Sequence, residues 1–334
     1  MRETPPEVPR HYGYGLLHQA LPRHEQWLVV TMPEPWQIAS RQFAATPAHV
    51  HHVTSMDEEQ IERTTQSLPS IDGVLGIGGG SCMDFAKYVA WKRQIPCILA
   101  PSIVSVDACL TDAIAVRRQG RVHYLGQVYP AAVLVDFELI CQAPPELNRA
   151  GAGDILSIHT ALFDWQLAHR HNNEPYFPEI ADQSRALLHT LFTHADAIRE
   201  ATPEGIQILM ELFRAEVHLC YQAGSSRPEE GSEHFWAYNL EYRVRRPFVH
   251  GDLIALGVLL MSALQENDLP GIKARIQDLG LRYTPEALQI PEDALRDSLI
   301  TAHDYSVEDQ LNFSILNVRP VDEQLATHLI ASAR

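Results

Sequence analysis

The feature that most narrows the folds open to this chain is a change of texture near residue 143. Before it, short apolar, β-branched runs alternate with helical patterns. Trp27–Met32 (WLVVTM), stopped by Pro33, reads as a buried strand, and His49–Val53, Gly73–Ile77, Ile95–Ala100 and Ala131–Asp136 read as four more. Helical spacing covers 34–45, Asp57–Leu68 with Ser55 or Asp57 as caps, and Ser81–Trp91. Strands alternating with helices predict a mostly parallel sheet covered on both faces, a Rossmann-like α/β domain. Residues 1–26 read as an irregular or edge segment. From Pro144 onward strand-like runs become scarce. Helical patterns cover Asp154–Leu167, Glu179–Ala197, Gly205–Ala223, Ser232–Tyr242, Asp252–Gln265 and Leu295–Ala302. The run Gln142-Ala-Pro-Pro-Glu-Leu147 marks the border, giving an α/β domain at 1–143 and an all-α domain at 144–334, two domains being what 334 residues suit.

Composition excludes several classes of function. A formal net charge of −16, with only Lys87, Lys92 and Lys273 as lysines and no long basic patch, argues against a nucleic-acid partner. The N-terminus is polar and proline-rich rather than signal-like. No run reaches the roughly 18–20 apolar residues of a membrane helix. The 5 cysteines are scattered, without a CxxC pair, which suits reduced thiols, a cytoplasmic location and no cysteine-based zinc site.

In parallel sheets, ligands bind beyond the C-terminal ends of the strands. Two loops there matter. Gly76-Ile-Gly-Gly-Gly80-Ser81 follows a strand and opens a helix, so its backbone N–H groups suit a pyrophosphate. It matches neither the Rossmann fingerprint, with Ser81 in place of the third glycine, nor the Walker A loop, and a plain tight turn is the bland alternative. Asp84 and Lys87 follow at helical spacing, as ligand contacts or as a solvated i, i+3 pair. Pro101–Thr111 offers the hydroxyls of Ser102, Ser105 and Thr111 and the carboxylate of Asp107, which suit a nicotinamide, a ribose or a polyol. In the second half, Gly224–Gly251 holds His234 and His250 beside small or turn-forming residues, and Asp154 follows Gly151-Ala-Gly153. We read Asp154, His234 and His250 as converging on one divalent metal. One carboxylate and two imidazoles suit zinc first, or iron or nickel, and three protein ligands leave a position open for a substrate oxygen. With 17 histidines in the chain, ordinary surface or core residues are the competing account.

Together these motifs resemble a known family over nearly the whole chain. Gly-Gly-Gly-Ser-x-x-Asp-x-x-Lys (78–87), Pro-Ser-x-x-Ser-x-Asp (101–107), Gly-x-Gly-Asp (151–154), Ser-Arg-Pro-x-x-Gly-Ser-Glu-His (226–234) and His-Gly-Asp (250–252) occur in order. They look like the glycerol-1-phosphate dehydrogenase and glycerol dehydrogenase group, within the dehydroquinate-synthase-like, metal-dependent alcohol dehydrogenase superfamily. The 226–234 segment resembles the glycerol-1-phosphate branch more. The resemblance implies a dehydroquinate-synthase-like fold with a cleft between a nucleotide domain and a helical domain. It implies that Asp154, His234 and His250 hold the metal, that Gly78, Gly79, Gly80 and Ser81 bind the NAD or NADP pyrophosphate, and that Asp84, Ser102, Ser105 and Thr111 belong to the cofactor site. Asp107 would then face a small polyol or polyol phosphate. A homodimer or larger homo-oligomer is expected.

Departures from the family pattern bear on the substrate. Asp252 stands where Glu is usual, Tyr238 where a second histidine is frequent, and the first strand ends at Met32-Pro33 with no acidic residue for a ribose, so NAD and NADP both stay open. Arg227, Arg243, Arg245 and Arg246 suit an anionic substrate or an exposed helix end. His159 reads as helix packing, and His49, His51 and His52 as surface. Ser232 is expected to cap the helix of His234. Two rival functions follow from the same residues. One is an NAD-using sugar-phosphate cyclase of the dehydroquinate synthase kind, disfavoured because no lysine lies between Lys92 and Lys273. The other is a catalytically silent binding homologue, favoured by Tyr238 and Asp252.

Overall fold

The computed structural model describes residues 7–21, 25–44 and 46–333. The expectations for residues 1–6, 22–24, 45 and 334 lie outside the described residues. The chain divides into two compact units, with the border between Asn148 and Arg149 rather than at 143/144. Asn148 explains the shift. Its buried side chain accepts the Val104 N–H at 3.0 Å and donates to the Ile140 carbonyl at 2.9 Å, tying the turn after the proline pair to the first unit.

The first unit is built on strands β1 (Arg10–Gly13), β2 (Trp27–Thr31), β3 (His49–His52), β4 (Gly73–Gly78), β5 (Cys97–Pro101), β6 (Ala113–Arg118), β7 (Arg121–Gln127) and β8 (Ala132–Asp136). Six of them form one sheet of order β1-β8-β5-β4-β2-β3, all neighbours parallel. Every residue of β2 and β4 is buried, as a strand covered on both faces requires. Around them Leu17, Trp27, Val29, Leu75, Ile77, Ala100 and Leu139 form a core cluster. The edge strands β1 and β3 are four residues each and only partly buried. The irregular or edge segment expected before residue 26 thus contains one edge strand. His49, His51 and His52 lie on the other edge, half-buried rather than at the open surface, with His51 stacked on Phe85.

Strands β6 and β7 were not expected. They form an antiparallel hairpin turned at Gln119-Gly120, both with positive φ (53° and 84°). Ile114 and Val116 alternate with more exposed neighbours and are fully buried, a period-two pattern readable in principle. The turn hides it, because Gln-Gly is a weaker hairpin signal than Asn-Gly.

The second unit is helical, with no strand among its described residues. The expected helix Asp154–Leu167 is two, Gly151–Leu156 and Ile158–Asn172, meeting at Ser157. Likewise Glu179–Ala197 breaks at His194. The axis of the unit is helix His250–Gln265, buried nearly all round, as a surface apolar on every side apart from Asp252, Ser262 and Gln265 demands. It crosses helix Gly151–Leu156 through paired glycines. A Cβ on Gly153 would lie 1.9 Å from the Gly251 carbonyl oxygen, and a Cβ on Gly251 would lie 1.8 Å from that of Ala150. These glycines permit the approach of two helix backbones, and that approach positions the residues that follow each of them.

Candidate metal centre and cofactor loop

Three helices of the second unit each contribute one side chain to a common point. Asp154 lies directly after Gly153, His250 directly before Gly251, and His234 in the first turn of helix Ser232–Val244. The His234 Nε2 lies 3.3 Å from Asp154 Oδ1, the His250 Nε2 lies 3.2 Å from the same oxygen, and the two Nε2 atoms are 3.3 Å apart. A cation bound tetrahedrally at about 2.0–2.2 Å spaces its ligand atoms about 3.3–3.6 Å apart. Donor chemistry and spacing therefore fit a divalent metal, and no fourth His, Cys, Asp or Glu joins the group among the described residues.

The electrostatics match. Burial opposes ionisation of Asp154, but His250 and His234 outweigh it and hold the carboxyl below the usual carboxylate range. Burial likewise opposes charge on His234, yet the carboxylates of Asp154 and Glu233 raise its pKa well above the ordinary imidazole value. A divalent cation at this point would take the place of the protons these side chains otherwise share.

Behind the ligands lies a buried polar network that sequence reasoning missed. Glu233 Oε1 accepts from His234 Nδ1 at 2.9 Å and from the Gly231 N–H at 2.7 Å, and Oε2 accepts from the Thr160 hydroxyl at 2.7 Å. Asp164 accepts the Ser232 N–H at 2.8 Å and the Ile315 N–H at 2.7 Å. Ser232 is therefore not the cap expected of it. Gly231 is the N-cap residue, without a side-chain cap, and Glu233 and Asp164 satisfy the helix-start donors instead. The signal for this lay in the Ser-Glu-His triplet, where an acidic residue adjoins a ligand.

Other expected contacts resolve differently. Arg227 is 1% exposed; its Nε and Nη2 each bond Glu174 at 2.6 Å, and its Nη1 bonds the Phe313 carbonyl at 2.8 Å, so it is a structural tie rather than an anion receptor. Arg246 bonds the carbonyls of Leu288 and Gln289 at 2.7 Å each. Arg243 bonds Asn239 at 3.1 Å, and Arg245 stacks over Tyr242. His159 exchanges bonds with Asn267, the packing role expected of it. Asp252 is held by Arg282, with Nη2 to Oδ2 at 2.6 Å, while burial pushes its carboxyl up. Tyr238 sits beside His234, ring centres 6.0 Å apart, and donates its hydroxyl to Glu230 at 2.8 Å.

In the first unit, β4 runs into helix Gly80–Arg93 through Gly78-Gly79. Gly78 has φ 152°, and a Cβ there would meet Cys82 Sγ at 2.4 Å, so only glycine fits the turn. The helix start carries no side-chain cap, which leaves its first N–H groups open to an anion, the chemistry a pyrophosphate needs. The second loop joins this one directly, because the Ser102 N–H donates to the Gly78 carbonyl at 2.9 Å. Ser102 and Ser105 are buried, and the Thr111 hydroxyl accepts the Ala113 N–H at 3.4 Å. Asp107 is half-buried on the same loop. Asp84 is neither solvated nor open: it pairs with the fully buried Lys87 at 3.0 Å, and Lys87 also bonds the carbonyls of Thr111 and Ala113. The pair fastens the β6–β7 hairpin to the helix.

Residues 34–144 match the iron-containing alcohol dehydrogenase family. The chain is 30% identical over 302 residues to the NAD(P)+-linked glycerol-1-phosphate dehydrogenase of Hyperthermus butylicus, covering 86% of this chain and 84% of that one. It is also 30% identical over 314 residues to the enzyme of that name from Staphylothermus marinus, covering 90% and 87%. A probable glycerol dehydrogenase from Sinorhizobium meliloti shares the fold, with a TM-score of 0.73 at 20% identity over 98% of this chain and 97% of that one.

Proposed function

The chain belongs to the glycerol-1-phosphate dehydrogenase group of the iron-containing alcohol dehydrogenase family, and from that membership we propose that it interconverts a secondary alcohol of a small polyol or polyol phosphate with the matching ketone. It is a metal-dependent, NAD(P)-linked oxidoreductase. The observation that carries the residue assignment is the triangle of Asp154 Oδ1, His234 Nε2 and His250 Nε2, with edges of 3.2–3.3 Å.

When bound, a divalent cation would polarise the substrate oxygen and a nicotinamide would take or give the hydride. The protein's own residues supply placement and charge. Asp154 brings one negative charge to the centre, and the two imidazoles bring neutral nitrogen once metal displaces their protons. Gly78, Gly79, Gly80 and Ser81 would hold the pyrophosphate through backbone N–H groups, with Ser102, Ser105 and Thr111 along the cofactor and Asp107 orienting a substrate hydroxyl. Asp84 has the weakest claim to a cofactor contact, since Lys87 already engages it. Zinc is the first metal to test, iron and nickel the alternatives. Assembly into a homodimer or larger belongs to the same reading, and light scattering tests it. No helix among the described residues is long and apolar enough to cross a membrane.

The test is net cofactor turnover. Zinc-loaded protein should accumulate NADH or NADPH from a polyol or polyol phosphate, and Asp154→Asn should lower the rate at least about a hundredfold, as for loss of an oriented charge at a reacting centre. A cyclase would consume substrate with no accumulating reduced cofactor, and a silent homologue would do neither.

A further inference from the structure

We propose that Glu233 is a positioning residue: through His234 it fixes the centre's geometry and sets its affinity for the divalent cation. The inference rests on the metal-centre reading above. Glu233 is fully buried. Its Oε1 takes both the His234 Nδ1–H at 2.9 Å and the Gly231 N–H at 2.7 Å, and its Oε2 takes the Thr160 hydroxyl at 2.7 Å. Three donors from three places leave the carboxylate one orientation. Once a cation has displaced its second proton, a neutral imidazole that donates from Nδ1 presents the lone pair of Nε2, the nitrogen that faces Asp154 and His250. A carboxylate behind the ring also raises the basicity of that nitrogen. The arrangement is one-sided. Among the described residues no carboxylate stands behind His250, whose side chain is 28% exposed and whose Nε2 makes the contacts to Asp154 and His234. The lever on affinity therefore lies with His234.

A bland role for Glu233 exists, because it also satisfies a helix-start donor. Glu233→Gln separates the two. Both N–H donors converge on Oε1, which a glutamine oxygen replaces, and the glutamine amide faces a threonine hydroxyl able to accept. The substitution keeps the three hydrogen bonds and removes only the charge. The experiment measures zinc affinity of the whole chain by chelator competition, with thermal melts of the metal-free proteins alongside. E233Q should bind zinc about 10- to 100-fold more weakly than wild type, with a metal-free melting temperature that does not fall. Affinity within twofold of wild type overturns the proposal, provided wild type binds zinc and His234→Ala loses it. Wild type without zinc affinity, or H234A with wild-type affinity, overturns the metal-centre reading itself. If E233Q fails to fold, Thr160→Val serves: it frees Oε2 and should weaken zinc binding several-fold, and unchanged affinity overturns the proposal.

Discussion

At the level of single side chains, the convergence of Asp154, His234 and His250 was legible because ligand chemistry admits few residue types and each lies beside glycine or a turn. Their neighbours were less so, because a side chain's partner is invisible when it comes from far along the chain. Arg227 resembled an anion receptor until Glu174, fifty-three residues upstream, was seen to engage it. Asp84 resembled a cofactor contact until Lys87 and the hairpin claimed it. Tyr238, one helical turn after His234, lies beside it, but its bond to Glu230 was not foreseeable. That bond gives a prediction. Tyr238→Phe should leave zinc content at one per chain, because the phenol is no ligand, and should cost about 0.5–1.5 kcal/mol of stability for one hydrogen bond. Elemental analysis and denaturant titration check both, and a loss of metal would place Tyr238 in the centre.

Among the elements, the alternating strands and helices of the first unit followed from their periods, since a parallel sheet leaves its strands no exposed face. What failed were the breaks. Ser157 and His194 interrupt helical patterns that run straight through them, because the turn is imposed by packing rather than by a glycine or proline. The crossing of helices Gly151–Leu156 and His250–Gln265 is the element that builds the centre, and its glycines serve to admit another helix. Gly251→Ala sets a methyl group against the Ala150 carbonyl, so the helices must part. The expected loss is about 1–3 kcal/mol, the usual cost of overpacking, with weaker zinc binding in the same variant. A stable G251A protein with wild-type zinc affinity would show that the crossing does not position Asp154 and His250.

For the whole molecule, stability should carry the mark of a buried acid. Burial, then the nearby Glu233 charge, pushes the Asp164 carboxyl up to about 7. The folded form thus holds its proton more tightly than the unfolded chain, whose value is near 3.8. Asp164 therefore contributes stability at low pH that is lost as pH rises from about 4 through 7. Asp154, held low by the imidazoles, acts with the opposite sign, losing stability as pH falls. In Asp164→Asn the deficit relative to wild type should shrink between pH 5 and pH 8, by on the order of 2–3 kcal/mol, as read from urea midpoints; a deficit independent of pH would contradict it. At this scale the two-unit division was readable from texture alone, though its border moved by five residues because Asn148 binds backward. The central claim is that one carboxylate and two imidazoles of the helical unit hold one cation. Elemental analysis of purified wild type, Asp154→Ala and His250→Ala, each confirmed folded by circular dichroism, tests it most directly. The account predicts one divalent metal per wild-type chain and close to none in either variant; full metal content in both variants would contradict it.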